Sequence, residues 1–181
     1  MSKFYLMAEK PLTNGTIIFK KNNLLTPLKT GHLLLDNFKP PLICNIDNEH
    51  LNGVQPTFYM SPAIIGKKEF YQDLLDCGVD NIEVKPVVIR DTVKNLEYTD
   101  YLLLNILRRV SCVNLNESDY ETLGDDMSII DKLVLKKSEI HDLNMFLVHE
   151  DTDCIVISEQ VHSYLTSKGY EDIYFEELEV I

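Results

Sequence analysis

The chain uses one local device twice, and that device limits the folds open to it. Leu74-Leu75-Asp76-Cys77-Gly78-Val79-Asp80-Asn81-Ile82-Glu83-Val84 is echoed by Leu165-Thr166-Ser167-Lys168-Gly169-Tyr170-Glu171-Asp172-Ile173-Tyr174-Phe175. Each copy carries an apolar residue eight and four positions before a glycine, then an apolar residue, an acid, a polar residue and isoleucine. Apolar residues one helical turn apart share a face, and glycine just past that face stops a helix. The Ile-x-Val and Ile-x-Phe that follow have the period of a half-buried strand. Two helices are thus each bound to a following strand, which requires a sheet for both to pack on.

The strongest apolar segment, residues 98–113, is leucine-rich and helical on propensity; it is expected as a strand on tertiary grounds and on the family resemblance described below. Further strands are expected at residues 4–7, 16–19, 57–60, 82–89, 129–135, 145–148 and 154–157. Pro86 cannot donate to a ladder and should mark a bulge or an edge. Ser61-Pro62 offers an N-cap and a first-turn proline, so a first helix is expected over residues 62–77 with Ile65, Phe70, Leu74 and Leu75 inward. Ser158 caps a second over residues 159–168. Residues 20–55 carry turn signals and little period, so loops and short strands wrapping one side of the domain are expected there; the polar residues 117–126 are expected to loop. The fold class that follows is α+β: a single domain over residues 1–181, with a mixed, mainly antiparallel β-sheet and two main helices packed on it.

With 181 residues, 45% of them hydrophobic, the chain can bury roughly 70% of its unfolded surface without disulfide or metal. No apolar run approaches the roughly 20 residues of a membrane helix, and Glu9 interrupts the N-terminus before any secretory apolar region forms. A cytoplasmic location without membrane contact is expected. Cys44, Cys77, Cys112 and Cys154 form no Cys-x-x-Cys pair and fit as reduced, partly buried small hydrophobes. The net charge of −12 opposes nucleic-acid binding, which draws its affinity from cations. It suits solubility or the steering of a basic protein partner.

Motifs for chemistry are few. The cluster His149-Glu150-Asp151-Thr152-Asp153-Cys154 has neither zinc nor calcium-loop spacing and fits a polar turn between strands; His141-Asp142 fits the turn after Ser138. There is no nucleophile elbow, phosphate-cradling loop or His-Glu-x-x-His, so no catalytic, cofactor or metal site is expected. Arg108 and Arg109 would point to opposite faces of a strand, one to the surface and one to a nearby acid. The candidate partner-binding residues are Asp119, Tyr120, Glu121, Asp125 and Asp126, where acids surround an aromatic of the kind that anchors interfaces.

Three stretches together resemble one family. They are Tyr101-Leu102-Leu103-Leu104-Asn105-Ile106-Leu107-Arg108-Arg109-Val110-Ser111-Cys112-Val113 with Ser118; Phe58-Tyr59-Met60-Ser61 with Ile82-Glu83-Val84-Lys85-Pro86-Val87; and Leu133-Val134-Leu135, Ile140, Met145-Phe146 and Ile155-Val156-Ile157-Ser158 through Gly169 and Phe175. Over residues 57–177 the chain resembles the myxobacterial-type immunity proteins of bacterial polymorphic toxin systems. The resemblance implies a cytosolic, non-enzymatic protein that binds a cognate toxin domain, with specificity in variable loops. Two other classes stay open: an enzyme with a spatially assembled Cys/His site, and a scaffold domain with no toxin partner.

Overall fold

The computed structural model describes residues 3–10, 16–19, 29, 31–34, 40–47, 55–61, 63–122 and 128–181. The α+β class and mixed strand pairing hold, and the strands divide among two large sheets and two small ones. In the five-stranded sheet, β1 (Phe4–Glu9) lies between β13 (Ile155–Ser158) and the outer strand β14 (Ile173–Glu177), antiparallel to both. Beyond β13 follow β12 (Met145–Val148) and the two-residue β8 (Arg109–Val110), which pairs parallel.

The six-stranded sheet runs β2 (Thr16–Phe19), β3 (Leu42–Asp47), β6 (Ile82–Asp91), β7 (Leu96–Ile106), β5 (Ile65–Lys67) and β4 (Phe58–Tyr59). Only β3 and β6 pair parallel in it. The hairpin of β9 (Asp119–Thr122) with β10 (Ser128–Lys132), and the parallel pair of β11 (Val134–Leu135) with β15 (Glu179–Val180), complete the set.

Between the large sheets lies the main core. Phe70 and Leu74 of α1 (Lys68–Asp76) meet Val161 and Leu165 of α2 (Glu159–Lys168), with Met7, Ile157, Leu104 and Ile106 supplied by the sheets. The opposite faces are covered as well. Tyr101 and Leu103 of β7 enter a second cluster, and Phe146 and Val156 enter a third. Burial on both faces explains why β12 and β13 are apolar without alternation. It also makes the leucine-rich β7 a strand: neighbouring leucines are needed on two opposite surfaces, which a one-sided helix cannot supply.

The repeated device is present in both copies. Gly78 at φ +91° and Gly169 at φ +74° take the left-handed conformation that ends each helix. Ser158 Oγ accepts from the Val161 N–H at 3.5 Å, capping α2 over the expected residues.

Four expectations need correction. The first helix starts at Lys68, because Ile65, Gly66 and Lys67 pair with Leu103, Leu102 and Tyr101 as β5. A Cβ on Gly66 would lie 2.7 Å from Leu104 Cδ1, so any larger residue here requires the buried Leu104 side chain to shift. Leu75 is 38% exposed, not inward. The segment expected to be one strand breaks at Leu107-Arg108 and crosses from the six-stranded to the five-stranded sheet. Residues 119–122, expected to loop, form β9 because β10 supplies a partner for their backbone. Pro86 does sit where β6 is locally an edge: β3 begins pairing only at Val87, and the register slips between Val87 and Ile89.

Candidate functional site

The acidic hairpin is rooted in the core. Ser118 is buried; its Oγ accepts from the Val134 N–H at 3.0 Å, and the Asn114 N–H donates to Val134 O at 2.8 Å. From that root β9 projects Asp119, Tyr120 and Glu121, all exposed. Tyr120 pairs in register with Ile130, which packs against the third core cluster; Asp119 pairs with Lys132 across a bulge. Strand alternation therefore puts Asp119 and Glu121 on one face of the ribbon and Tyr120, 39% exposed, on the other. Asp125 and Asp126 lie outside the described residues.

The outer acids of the hairpin continue into the C-terminal strands, which the composition of residues 117–126 could not reveal. Lys132 Nζ, across from Asp119, reaches Glu179 Oε2 of β15 at 3.5 Å. Two residues before Glu179, Glu177 pairs with Lys3 at 2.9 Å, and its carboxylate raises the Lys3 pKa by hydrogen bond and charge. Tyr174 donates its hydroxyl to Glu176 Oε2 at 3.1 Å, which raises the phenol's pKa. Lys132 thus ties the β9–β10 hairpin to Glu179 of β15, and exposed acids follow on β14 at Glu176 and Glu177. The sequence signal was present as Glu176-Glu177-Leu178-Glu179, but its adjacency to Asp119 is tertiary.

The other candidates are structural. Burial pushes the thiols of Cys44, Cys112 and Cys154 up to about 12 and that of Cys77 to about 11. A nucleophilic cysteine needs the opposite shift. Cys77 Sγ instead donates to Leu74 O at 3.2 Å within the helix end. Residues 149–154 form the polar turn between β12 and β13, held by the Asp153 N–H on Asp151 Oδ1 at 2.9 Å. Arg109 donates from Nη2 to the backbone O of His149 at 2.8 Å, where pairing with an acid was expected. Among the described residues no three of His, Cys, Asp and Glu group as a metal site, and no helix is long and apolar enough to cross a membrane.

Among the described residues, His162 of α2 is the one histidine enclosed by aromatic rings. It stacks on Tyr5 with centroids 3.8 Å apart and meets Phe175 edge-on at 5.0 Å. Burial lowers its pKa, against the pull of Glu159 and Glu177. Its Nε2 lies 3.4 Å from the Thr166 hydroxyl one turn on in α2, an exposed contact within the helix.

No curated protein matches the chain. A family model does, over residues 75–180, which take in both glycine stops, the β9–β10 hairpin and the C-terminal acidic strands. On that match the chain belongs to the Immunity protein family (Imm11).

Proposed function

We propose that the chain is a cytoplasmic immunity protein that neutralises a cognate toxin domain by stoichiometric binding, without catalysis. Residues 1–181 act as one domain in this reading. Membership of an immunity family supplies the class of function. The observation that carries the mode is the set of exposed acids on β9, β14 and β15 (Asp119, Glu121, Glu176, Glu177 and Glu179), two of them paired with Lys3 and Lys132, on a chain of net charge −12. Such a surface complements a basic partner and speeds its capture. A toxin that itself grips nucleic acid would present such a basic cleft, and nuclease–immunity pairs are among the tightest complexes known. Asp119, Tyr120, Glu121, Asp125 and Asp126 are the proposed contact residues on the hairpin.

Co-expression with a candidate toxin domain sought among the neighbouring genes tests the proposal. Survival together with co-purification in a fixed ratio is expected. Survival without a complex would point to enzymatic repair or modification and sink direct binding.

A further inference from the structure

The outer edge of the five-stranded sheet is free along β14, among the described residues. The Leu178 N–H donates to Phe4 O and the Lys10 N–H to Asp172 O. In an antiparallel ladder this phase turns the N–H and C=O groups of residues 174 and 176 toward β1. Those of Ile173, Phe175 and Glu177 then point away from the sheet. An edge of this kind is a template for an added strand, and it gains affinity from backbone hydrogen bonds whatever the incoming sequence.

The side chains choose the occupant. Glu176 and Glu177 extend to opposite faces of β14, both exposed, with Glu171 before the strand and Glu179 after it. A strand laid on this edge meets a carboxylate on either face. A parallel second copy of β14 would set glutamate against glutamate, which is destabilising. A fully overlapped antiparallel copy would set Glu176 against Tyr174 and Glu177 against Ile173, giving neither carboxylate a cation. We infer that β14 receives an extended, lysine- or arginine-bearing segment of the toxin as an additional strand. This rests on the reading of the chain as a direct toxin binder and names how the binding is made.

Amide exchange followed residue by residue on the full chain, alone and with the toxin domain that co-expression identifies, tests the inference. Ile173, Phe175 and Glu177 should exchange quickly in the free protein and gain protection of about tenfold or more in the complex. Glu177→Pro removes one outward donor and no bond to β1, so it should weaken toxin binding about tenfold. Glu177→Gln keeps the outward N–H and loses the carboxylate that meets the incoming cation, so it should weaken binding by up to about fivefold, less than Glu177→Pro. A complex that forms with exchange unchanged at these three amides overturns strand addition while leaving direct binding intact. Protection that grows with protein concentration in the absence of toxin assigns the edge to a second copy and also overturns it. No complex at all removes the binding reading itself. If Glu177→Pro melts well below the parent, the exchange measurement on the parent decides alone.

Discussion

Asn144 fastens Gly78 in place: its Nδ2 donates to the Gly78 carbonyl at 2.9 Å, at the end of α1. The same side chain turns its Oδ1 to the Ser158 hydroxyl, 2.9 Å away, at the start of α2. One residue before β12 therefore joins the stop of the first helix–glycine–strand unit to the cap of the second. Gln160 adds a bond from Nε2 to Cys77 O at 2.9 Å. Carbonyls that a helix end leaves unpaired are thus satisfied from the partner unit.

Asn144→Ala should lower stability by about 1–2 kcal/mol, since it leaves a carbonyl and a hydroxyl without their partner. Asn144→Asp should cost more at neutral pH, because a carboxylate would face the Gly78 carbonyl and the negative end of α1. Its folded pKa would be raised, so the added cost should shrink as pH falls toward about 4. Urea midpoints at both pH values check this; equal loss at each would remove the electrostatic explanation.

The two glycines should differ when given a side chain. Gly169→Ala meets nothing within 4 Å and bears only left-handed strain, about 1–2 kcal/mol. At Gly78 the new Cβ would also lie 3.2 Å from Asn144 Nδ2 and 3.3 Å from Gln160 Nε2, the two groups that close the helix. Thermal melts should rank Gly78→Ala clearly below Gly169→Ala, and the reverse order would contradict the linkage.

Asp73 joins the helices a second time. Its buried carboxylate accepts from Tyr170 Oη and pairs with Lys168 Nζ at 2.7 Å. Burial opposes ionisation, but the Lys168 ammonium and the Tyr170 hydroxyl outweigh it and hold the pKa below its ordinary value. A lowered carboxylate pKa stabilises the fold above the unfolded value near about 4 and loses that effect as pH falls through the folded value. Asp73→Asn should therefore cost about 1.5–3 kcal/mol at pH 7, with the gap to the parent narrowing below about pH 4.

The cysteines should be silent. Their raised pKa values keep them protonated, so a colorimetric thiol reagent at about pH 8 should label the native protein slowly and the unfolded protein at once. Alanine at each cysteine in turn should leave protection from the toxin intact. Loss of protection in a variant that still folds and still binds toxin would revive the Cys/His enzyme.

On the hairpin, Asp119→Lys with Glu121→Lys should slow toxin association by about tenfold at low salt, an effect that fades as salt rises. Tyr120→Ala lies on the other face and should leave the association rate within about twofold. Stopped-flow mixing separates them. If Tyr120 alone controls the rate, the acidic face is not the steering surface.

Local signals were legible wherever the physics is local. Ser158 before an apolar-periodic run and Gly169 after it set α2 to its observed limits, because a cap and a left-handed stop need only neighbouring residues. The apolar blocks at β12 and β13 announced buried strands in the same way. The start of α1 was illegible: Ser61-Pro62 is a sound local helix signal, but residues 65–67 find a backbone partner in β7, a strand some 35 residues later. Asp119, Tyr120 and Glu121 could be picked out by type, yet whether they share a face depends on the strand pairing with β10.

The sequence by itself determined where the chain stops and turns, which residues are apolar enough to be buried, and that two helix–glycine–strand units recur. Tertiary structure decided that the strands form two large sheets around one shared core. It also decided that Asn144 bolts the two units together, and that Lys132, the ladder partner of Asp119, reaches Glu179 far on in the sequence. Strand pairing and charge adjacency depend on which distant backbone comes alongside, and no local stretch of sequence encodes that choice.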